Sequence, residues 1–406
     1  MTITQRSLTA VRPQRLSWFA SMGLKLLDRL LTHLHTGSLT LILPHGTSIT
    51  NSGSTKGPDA TLIVHRWRAL TQIALKGEVG FAEACVDGDI SSPDLTAFLQ
   101  LAVLNEDAFD EPLAGLAPAR VLNWLRHYFN ANTKSGSRRN ISAHYDLGNA
   151  FYEQWLDPSL TYSSAYYTHD EQTLAQAQDQ KLRRIAHLLD LKPAMNVLEI
   201  GCGWGALAHH LAHEHKAHIT GLTLSKEQLR IAQARTADDA LNVDLRLQDY
   251  RDVRGQFDRI VSIEMIEAVG ERYWPIYFNT LRARLSEHGK AVIQAITIDE
   301  KRFDDYRTRP DFIQRYIFPG GMLPTISGIK EQAEQAGLTL TSVELFGASY
   351  ARTLREWRHN FHRAWPTLST QGFDERFRRM WDYYLSYCEA GFRLGTINVG
   401  LYVLEA

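Results

Sequence analysis

The sequence predicts an α/β protein in which a mostly parallel sheet, covered by helices on both faces, follows a smaller mixed α/β domain. Three observations predict it. Strand and helix patterns alternate from about residue 195 onward, as in βαβ units. A buried strand in mid-chain runs straight into a glycine-rich turn, VLEIGCGWG, Val197–Gly205. A polar, basic, glycine-bearing stretch, NANTKSGSRRN at 130–140, separates this region from a first part with shorter strands. The expected organisation is a small N-terminal domain at 1–129, a linker at 130–140 and a larger domain at 141–406.

Residues 1–15 show no periodicity and are expected to be disordered. Ser17–Leu34 has helical spacing: Trp18, Met22, Leu26 and Leu30, with Phe19, Leu27, Leu31 and Leu34, form a broad apolar face flanked by Arg15, Lys25 and Arg29. Two roles fit it, a helix docked on the small domain or an interfacial helix touching lipid. SLTLILP and TLIVHRW alternate as strands, and NSGSTKGP between them reads as a flexible turn. SPDLTAFLQLAVLN reads as a helix that starts at Ser92 and Pro93. Beyond the linker, strands are expected near 195–200, 217–222, 243–247, 257–263 and 289–298. Glu344–Tyr350 and Thr396–Leu404 read as two more, separated by an amphipathic helical stretch, Thr353–Tyr387.

The formal net charge of −1 gives no global attraction to nucleic acid or anionic lipid. Nucleic-acid recognition would need a larger basic surface. Three scattered cysteines, Cys85, Cys202 and Cys388, point to a reducing, cytoplasmic setting without a disulfide framework. No run approaches the roughly 20 apolar residues that span a bilayer. His209, His210, His213, His215 and His218 run down a helix into a strand with no carboxylate frame, so no metal site is expected. Arg376, Arg378 and Arg379, with Phe373, Phe377 and Trp381, suit either a solvated face or lipid headgroups.

Gly201, Gly203 and Gly205 follow Ile200 directly. Glycines let the backbone bend tightly and a ligand come close. The free N–H groups and dipole of the next helix then favour anionic or carboxylate parts. The spacing is G-x-G-x-G, whereas a dinucleotide fingerprint reads G-x-G-x-x-G with an acid about 20 positions on. Gly221 and Leu222 stand there instead. Glu199, at the end of the strand, can accept a hydrogen bond or neutralise a cationic ligand. S-adenosylmethionine is such a ligand, with a sulfonium and an ammonium. Thr223 and Gln228 in GLTLSKEQ are placed for ribose hydroxyls. Gln248 and Asp249 follow the third strand, with Asp249 placed for the adenine amine. Glu264 and Glu267 lie at the end of the fourth, Glu264 either supporting its neighbour or facing solvent. All these groups fall at carboxyl ends of strands, where open parallel sheets bind ligands.

From about Ile141 to Glu405 the chain resembles the cyclopropane-fatty-acyl-phospholipid synthase family, with the mycolic acid cyclopropane synthases and related lipid C-methyltransferases. The motifs that carry the resemblance are HYDLGNAFYEQWLDPSLTYSSAYY, VLEIGCGWG, GLTLSKEQ, FDRIVSIEMIEAVG, RYIFPGGMLP and ASYARTLREW. It implies a class I S-adenosylmethionine-dependent methyltransferase core, Rossmann-like, with cover helices at His144–Tyr167. It implies unsaturated acyl chains of phospholipids as substrates and transient contact with the inner face of the membrane, and it admits a homodimer. Tyr162 and Ser163 match cofactor-contacting positions, as do Gly201, Thr223 and Gln228. The family site also holds a bicarbonate ion that takes a proton from the methylated carbocation. Its glutamate matches Glu267 and its tyrosine Tyr350. The family's cysteine is Ser164 here, and its histidine Gln294. Both replacements can still hydrogen-bond a small anion, but neither titrates near neutral pH.

An isolated alkene has no proton to remove before attack. The enzyme must instead align it with the methyl donor and exclude water. Attack leaves a carbocation, which aromatic faces and carboxylates stabilise. Tyr145, Tyr166, Phe318 and Tyr350 are the candidate lining. The expected product is a cyclopropane fatty acid. The alternatives are a methyl-branched or methylene product, and, from another class, a non-catalytic lipid-binding protein with a degenerate core.

Overall fold

A computed structural model describes residues 18–106, 147–237 and 241–406. Residues 1–15, the expected linker and Tyr145 lie outside them. The chain divides into two compact units. The first comprises Met1–Arg126, Arg309–Ile313 and Trp365–Leu394, and the second His127–Thr308, Gln314–Ala364 and Gly395–Ala406. The C-terminal residues 365–394 thus group with the N-terminal part of the chain.

In the first unit, α1 (Trp18–Thr32) precedes β1 (Thr36–Ile42), β2 (Ser48–Ser52) and β3 (Thr55–Val64), followed by α2 (Arg68–Val86), β4 (Ile90–Ser91) and α3 (Leu95–Leu104). The sheet order is β2-β1-β3-β4, with β1 parallel to β3 and antiparallel to β2. The flexible turn expected over NSGSTKGP shrinks to Gly53 and Ser54, because its flanks are strand. Its glycines serve close packing instead: a Cβ on Gly57 would stand 2.6 Å from Thr36 Cγ2. The helix α3 starts later than Ser92, since the Asp94 carboxylate caps it by accepting from Ala97 N–H at 2.9 Å. Helix α1 is docked. A Cβ on Gly23 would lie 2.2 Å from the Leu70 carbonyl oxygen, and Leu27 and Leu31 are buried. Trp18 is 67 % exposed, while the side chains of Phe19, Met22, Leu26 and Leu30 lie outside the described residues. Arg376 pairs with Asp87, Arg378 with Glu375, and Arg379 donates to the Val86 carbonyl.

The second unit holds the larger sheet, built from β5 (Asn196–Ile200), β6 (His218–Thr223), β7 (Val243–Leu247), β8 (Phe257–Ile263), β9 (Leu285–Ile298), β10 (Thr339–Leu345) and β11 (Ile397–Glu405). Its order is β10-β11-β9-β8-β5-β6-β7. The five central and outer strands β7, β6, β5, β8 and β9 are parallel, and β11 runs antiparallel between β9 and β10. The order reverses beside β5, so a crevice opens at its carboxyl end. The strand expected over Glu344–Tyr350 ends at Leu345, and a helix begins at Gly347. Phe346, Tyr350, Leu354 and Trp357 are all buried at spacings of four and three, a helical rather than an alternating pattern. The single amphipathic stretch expected over Thr353–Tyr387 is two helices, Gly347–Thr370 and Glu375–Leu394.

Candidate active site

The glycine turn ends β5 and is pinned to β6 by two backbone bonds, from Gly201 N–H and Cys202 N–H to the Leu222 carbonyl. Gly201, Gly203 and Gly205 all have positive φ, at 83°, 51° and 78°. Side chains at Gly201 and Gly205 would strike Met265 Cγ at 2.6 Å and Ala232 Cβ at 2.9 Å. A Cβ on Gly203 would meet nothing within 4 Å, so the turn leaves a cradle there. Glu199 is buried, and its Oε2 has no hydrogen-bond partner. Burial pushes its carboxyl up to about 8, against one opposing backbone bond from Ala208. A cationic ligand would supply the charge partner that this acid lacks. The cradle and the orphaned carboxylate fit S-adenosylmethionine.

The expected ribose and adenine residues border the same turn. Thr223 Oγ donates to Gln228 Oε1 at 3.0 Å, and both side chains are buried. Gln248 is fixed through its N–H to the Thr223 carbonyl. Asp249 is already engaged: Arg251 approaches both its oxygens, at 2.8 and 2.6 Å. A carboxylate has about four acceptor sites, so a further donor can still be received.

Gly201 touches Met265, and Met265 lies between the two acids that end β8. Glu264, not Glu267, is the centre of the cluster. Its Oε1 accepts from Ser164 N–H at 2.9 Å and Gln294 Nε2 at 2.7 Å, and its Oε2 accepts from the Tyr350 hydroxyl at 2.8 Å. Ser164, Gln294 and Tyr350 are buried, whereas both glutamates keep partial exposure. Ser164 joins through its backbone; its hydroxyl donates to the Ala165 carbonyl at 2.9 Å. Glu267 Oε1 accepts from Ile296 N–H, and its Oε2 is buried without a partner. Burial, then the charge of Glu264, pushes the Glu267 carboxyl up to about 8. The Glu264 carboxyl is also raised by burial, opposed by Lys181 and by its three donors. Near neutral pH a protonated Glu267 is therefore favoured, while Lys181 and the three donors work toward the ionised form of Glu264.

Residues 161–167 cover this cluster as irregular chain, not as the expected helix; Asn149–Tyr152 is the one short helix between 147 and 167. The segment is clamped on both sides. Ala165 N–H donates to Thr353 Oγ at 3.1 Å and Tyr167 N–H to Ser349 Oγ at 3.1 Å. From the helix Leu174–Leu189, Gln178 Nε2 donates to the Ser163 carbonyl and Lys181 Nζ to Ser163 Oγ at 2.6 Å. Lys181 is buried, and burial lowers its pKa to about 8. Helical spacing with Leu174, Ala177 and Ile185 already places it on the inner face.

Tyr162 sits in a chain of rings that links the glycine turn to the carboxylates. Trp204 packs on Tyr152 at 5.2 Å, Tyr152 on Tyr162 at 5.3 Å, Tyr162 on Trp357 at 5.3 Å, and Trp357 on Tyr350 at 6.1 Å. Trp204 Nε1 also donates to Asn149 Oδ1 at 2.8 Å, tying the cover segment to the turn. Sequence reasoning passed over Trp204 and Trp357, although both stand inside the motifs VLEIGCGWG and ASYARTLREW. Phe318 lies on a loop against Glu267: Met322 N–H donates to the Glu267 carbonyl, and Gly321 N–H to that of Phe318. Tyr166 is placed otherwise. Its hydroxyl donates to Glu344, which Arg184 also holds, and its ring packs on Phe346 at 5.1 Å.

Among the described residues no group of three or more His, Cys, Asp and Glu is arranged to hold a metal ion. No helix among them is long and apolar enough to cross a membrane.

The sequence model of one family, described as mycolic acid cyclopropane synthetase, matches residues 132–401. The chain belongs to this family. Tuberculostearic acid methyltransferase UfaA1 of Mycobacterium tuberculosis is 39 % identical over 398 residues, covering 94 % of this chain and 90 % of that one. The cyclopropane-fatty-acyl-phospholipid synthase of Escherichia coli is 37 % identical over 334 residues, 81 % of this chain and 83 % of that one. The solved structure of mycolic acid cyclopropane synthase CmaA1 complexed with SAH and CTAB superposes with a TM-score of 0.60 at 30 % identity, over 66 % of this chain and 98 % of that one. The fold is that of class I methyltransferases, and this family member is an S-adenosylmethionine-dependent methyltransferase acting in lipid methylation or cyclopropanation.

Proposed function

We propose that the enzyme transfers a methyl group from S-adenosylmethionine to the double bond of an unsaturated acyl chain in a phospholipid, and that the product is a cyclopropane fatty acid. The observation that carries the reading is the Gly201–Met265 contact, which sets the chain just after β8, where Glu264 and Glu267 stand, beside the cofactor turn. S-adenosylmethionine, when bound, supplies an electrophilic methyl on a sulfonium. Glu199, the cradle at Gly203, and Thr223 with Gln228 would hold it. The chain of rings from Trp204 to Tyr350 offers apolar walls that exclude water and π faces for a cation. The Escherichia coli relative supports the phospholipid substrate.

A second product fits the same first step. The tuberculostearic acid methyltransferase relative, matched over nearly the whole chain, favours an open-chain methylene product, which lies at the same oxidation level as the ring. Incubation with methyl-labelled S-adenosylmethionine and vesicles of a monounsaturated phosphatidylglycerol tests both. Each reading expects label in the acyl chain and a mass gain of one CH2. A product that takes up no hydrogen over a mild catalyst is the ring; one that takes up hydrogen keeps a double bond. Unlabelled lipid would overturn the proposal.

An acyl chain must leave the bilayer to reach this site, so the reading includes reversible docking at the inner face of the membrane. The exposed Trp18 is the feature on the first unit best suited to it.

A further inference from the structure

We propose that Glu264 is itself the proton acceptor of this reaction, a chain-borne carboxylate seated among the donors that would otherwise hold a free anion, so that the enzyme works without bicarbonate. The inference rests on the proposed methyl transfer to a double bond.

Three donors from three separate parts of the chain converge on one carboxylate: the Ser164 N–H, the Gln294 amide and the Tyr350 hydroxyl. The groups left over do not fit an anion. The Ser164 hydroxyl is spent on the Ala165 carbonyl, and the Ile296 N–H on Glu267. Lys181 Nζ is bound to Ser163 Oγ. The buried atoms still lacking a partner here are Gln294 Oε1, an acceptor, and Glu267 Oε2, which has one hydroxyl hydrogen to offer when protonated. A bicarbonate ion would face the Gln294 acceptor and the charge of Glu264, with the Glu267 hydroxyl hydrogen as the one donor between these two atoms.

The backbone gives an independent sign. Glu264 has φ of 50°, the left-handed region that glycine adopts freely and other residues adopt only at a cost. The strain persists because the surroundings fix it: the Glu264 N–H donates to the Gln294 carbonyl at 2.8 Å, and Met265 packs under Gly201. A glutamate kept at a position suited to glycine indicates that its side chain has work to do.

The step balances as follows. The alkene electron pair forms the new bond to the methyl carbon as the sulfur–methyl bond breaks, its electron pair leaving with S-adenosylhomocysteine, and the neighbouring carbon becomes the cation. Glu264 takes one proton from the added methyl, and the released C–H pair closes the ring onto the cationic carbon. For a methylene product, hydride first shifts from the methyl-bearing carbon to the cation, and the same C–H pair then forms the double bond from the chain to the new CH2 group. The Glu264 carboxyl passes its proton to solvent through its partly exposed face.

The test compares the whole enzyme with Glu264→Gly and Glu264→Gln on vesicles of monounsaturated phosphatidylglycerol, in buffer freed of carbon dioxide and in buffer with added bicarbonate. Glu264→Gly relieves the backbone strain, so it should fold and should bind S-adenosylhomocysteine by calorimetry as the parent does. The unmodified enzyme should run at the same rate in both buffers. Without bicarbonate, both variants should lose about 10²-fold or more in turnover, the scale of a positioned proton acceptor. Added bicarbonate should restore Glu264→Gly, whose cage is vacated, more than Glu264→Gln, whose cage stays filled. A parent enzyme that needs bicarbonate overturns the inference alone, as does a Glu264→Gly variant with full turnover in carbon dioxide-free buffer. A parent enzyme that labels no lipid in either buffer overturns the substrate reading, and the inference with it.

Discussion

Gln294 grips Glu264 twice: its carbonyl accepts from the Glu264 backbone N–H at 2.8 Å, and its side-chain Nε2 donates to the Glu264 carboxylate at 2.7 Å. The backbone bond sets the left-handed turn at the end of β8. The side-chain bond favours the ionised form of the acid.

Replacing Gln294 by leucine separates the two. The backbone bond remains, but the carboxylate loses a donor worth about 1.5–3 kcal/mol as a hydrogen bond to a charged group. The Glu264 pKa should rise, and with it the acid limb of the kcat/KM profile, by about one pH unit or more. A merely structural role for Gln294 would lower the rate without moving that limb.

At the cofactor turn, Gly203→Val should abolish binding. Valine is β-branched and poorly tolerated at φ of 51°, and its side chain would fill the open cradle. Calorimetry with S-adenosylhomocysteine should show no heat of binding while circular dichroism stays that of the parent. Retained binding would move the cofactor away from this turn.

The central parallel strands were legible because they carry short apolar runs buried on both faces, as VLEI and FDRIVSI do. The edge strand β10 was not, because most of Thr339–Leu345 is exposed and leaves no alternation to read. The glycine turn and Glu199 were legible from local sequence alone. The convergence of donors on Glu264 was hidden for two reasons. One of its donors is a backbone N–H 100 residues away, which no residue type announces, and its left-handed φ is invisible in a string of letters. Lys181 could have been found from the periodicity of its own helix, which turns a charged residue inward.

On the first unit, Trp18 is the exposed end of an otherwise docked helix. Trp18→Ser should weaken sedimentation with anionic vesicles and lower turnover on vesicles, while turnover on detergent-dispersed lipid stays unchanged, since the residue is mostly exposed. Unchanged sedimentation would remove α1 from the docking surface.

Glu267 gives a prediction about stability with a definite sign. Its carboxyl titrates near 8 in the folded protein, against about 4.3 in an unfolded chain. Between those values the folded state holds a proton that the unfolded state has released. The contribution of this group is therefore fully present below about pH 4.3 and is lost as the pH rises through 8. Glu267→Gln copies the protonated acid: the amide oxygen can still accept from Ile296 N–H, and no charge can form in the buried site. The variant should gain stability relative to the parent as the pH rises from about 5 to about 8, by an amount on the order of a few kcal/mol. Urea unfolding across that range measures the difference directly. Part of the raised pKa comes from the charge of Glu264, so the pH-dependent gain should shrink when Glu267→Gln is made in a Glu264→Gln background. A difference that stays constant with pH would mean that Glu267 is ionised throughout, and the assignment of a protonated Glu267 near neutral pH would fail.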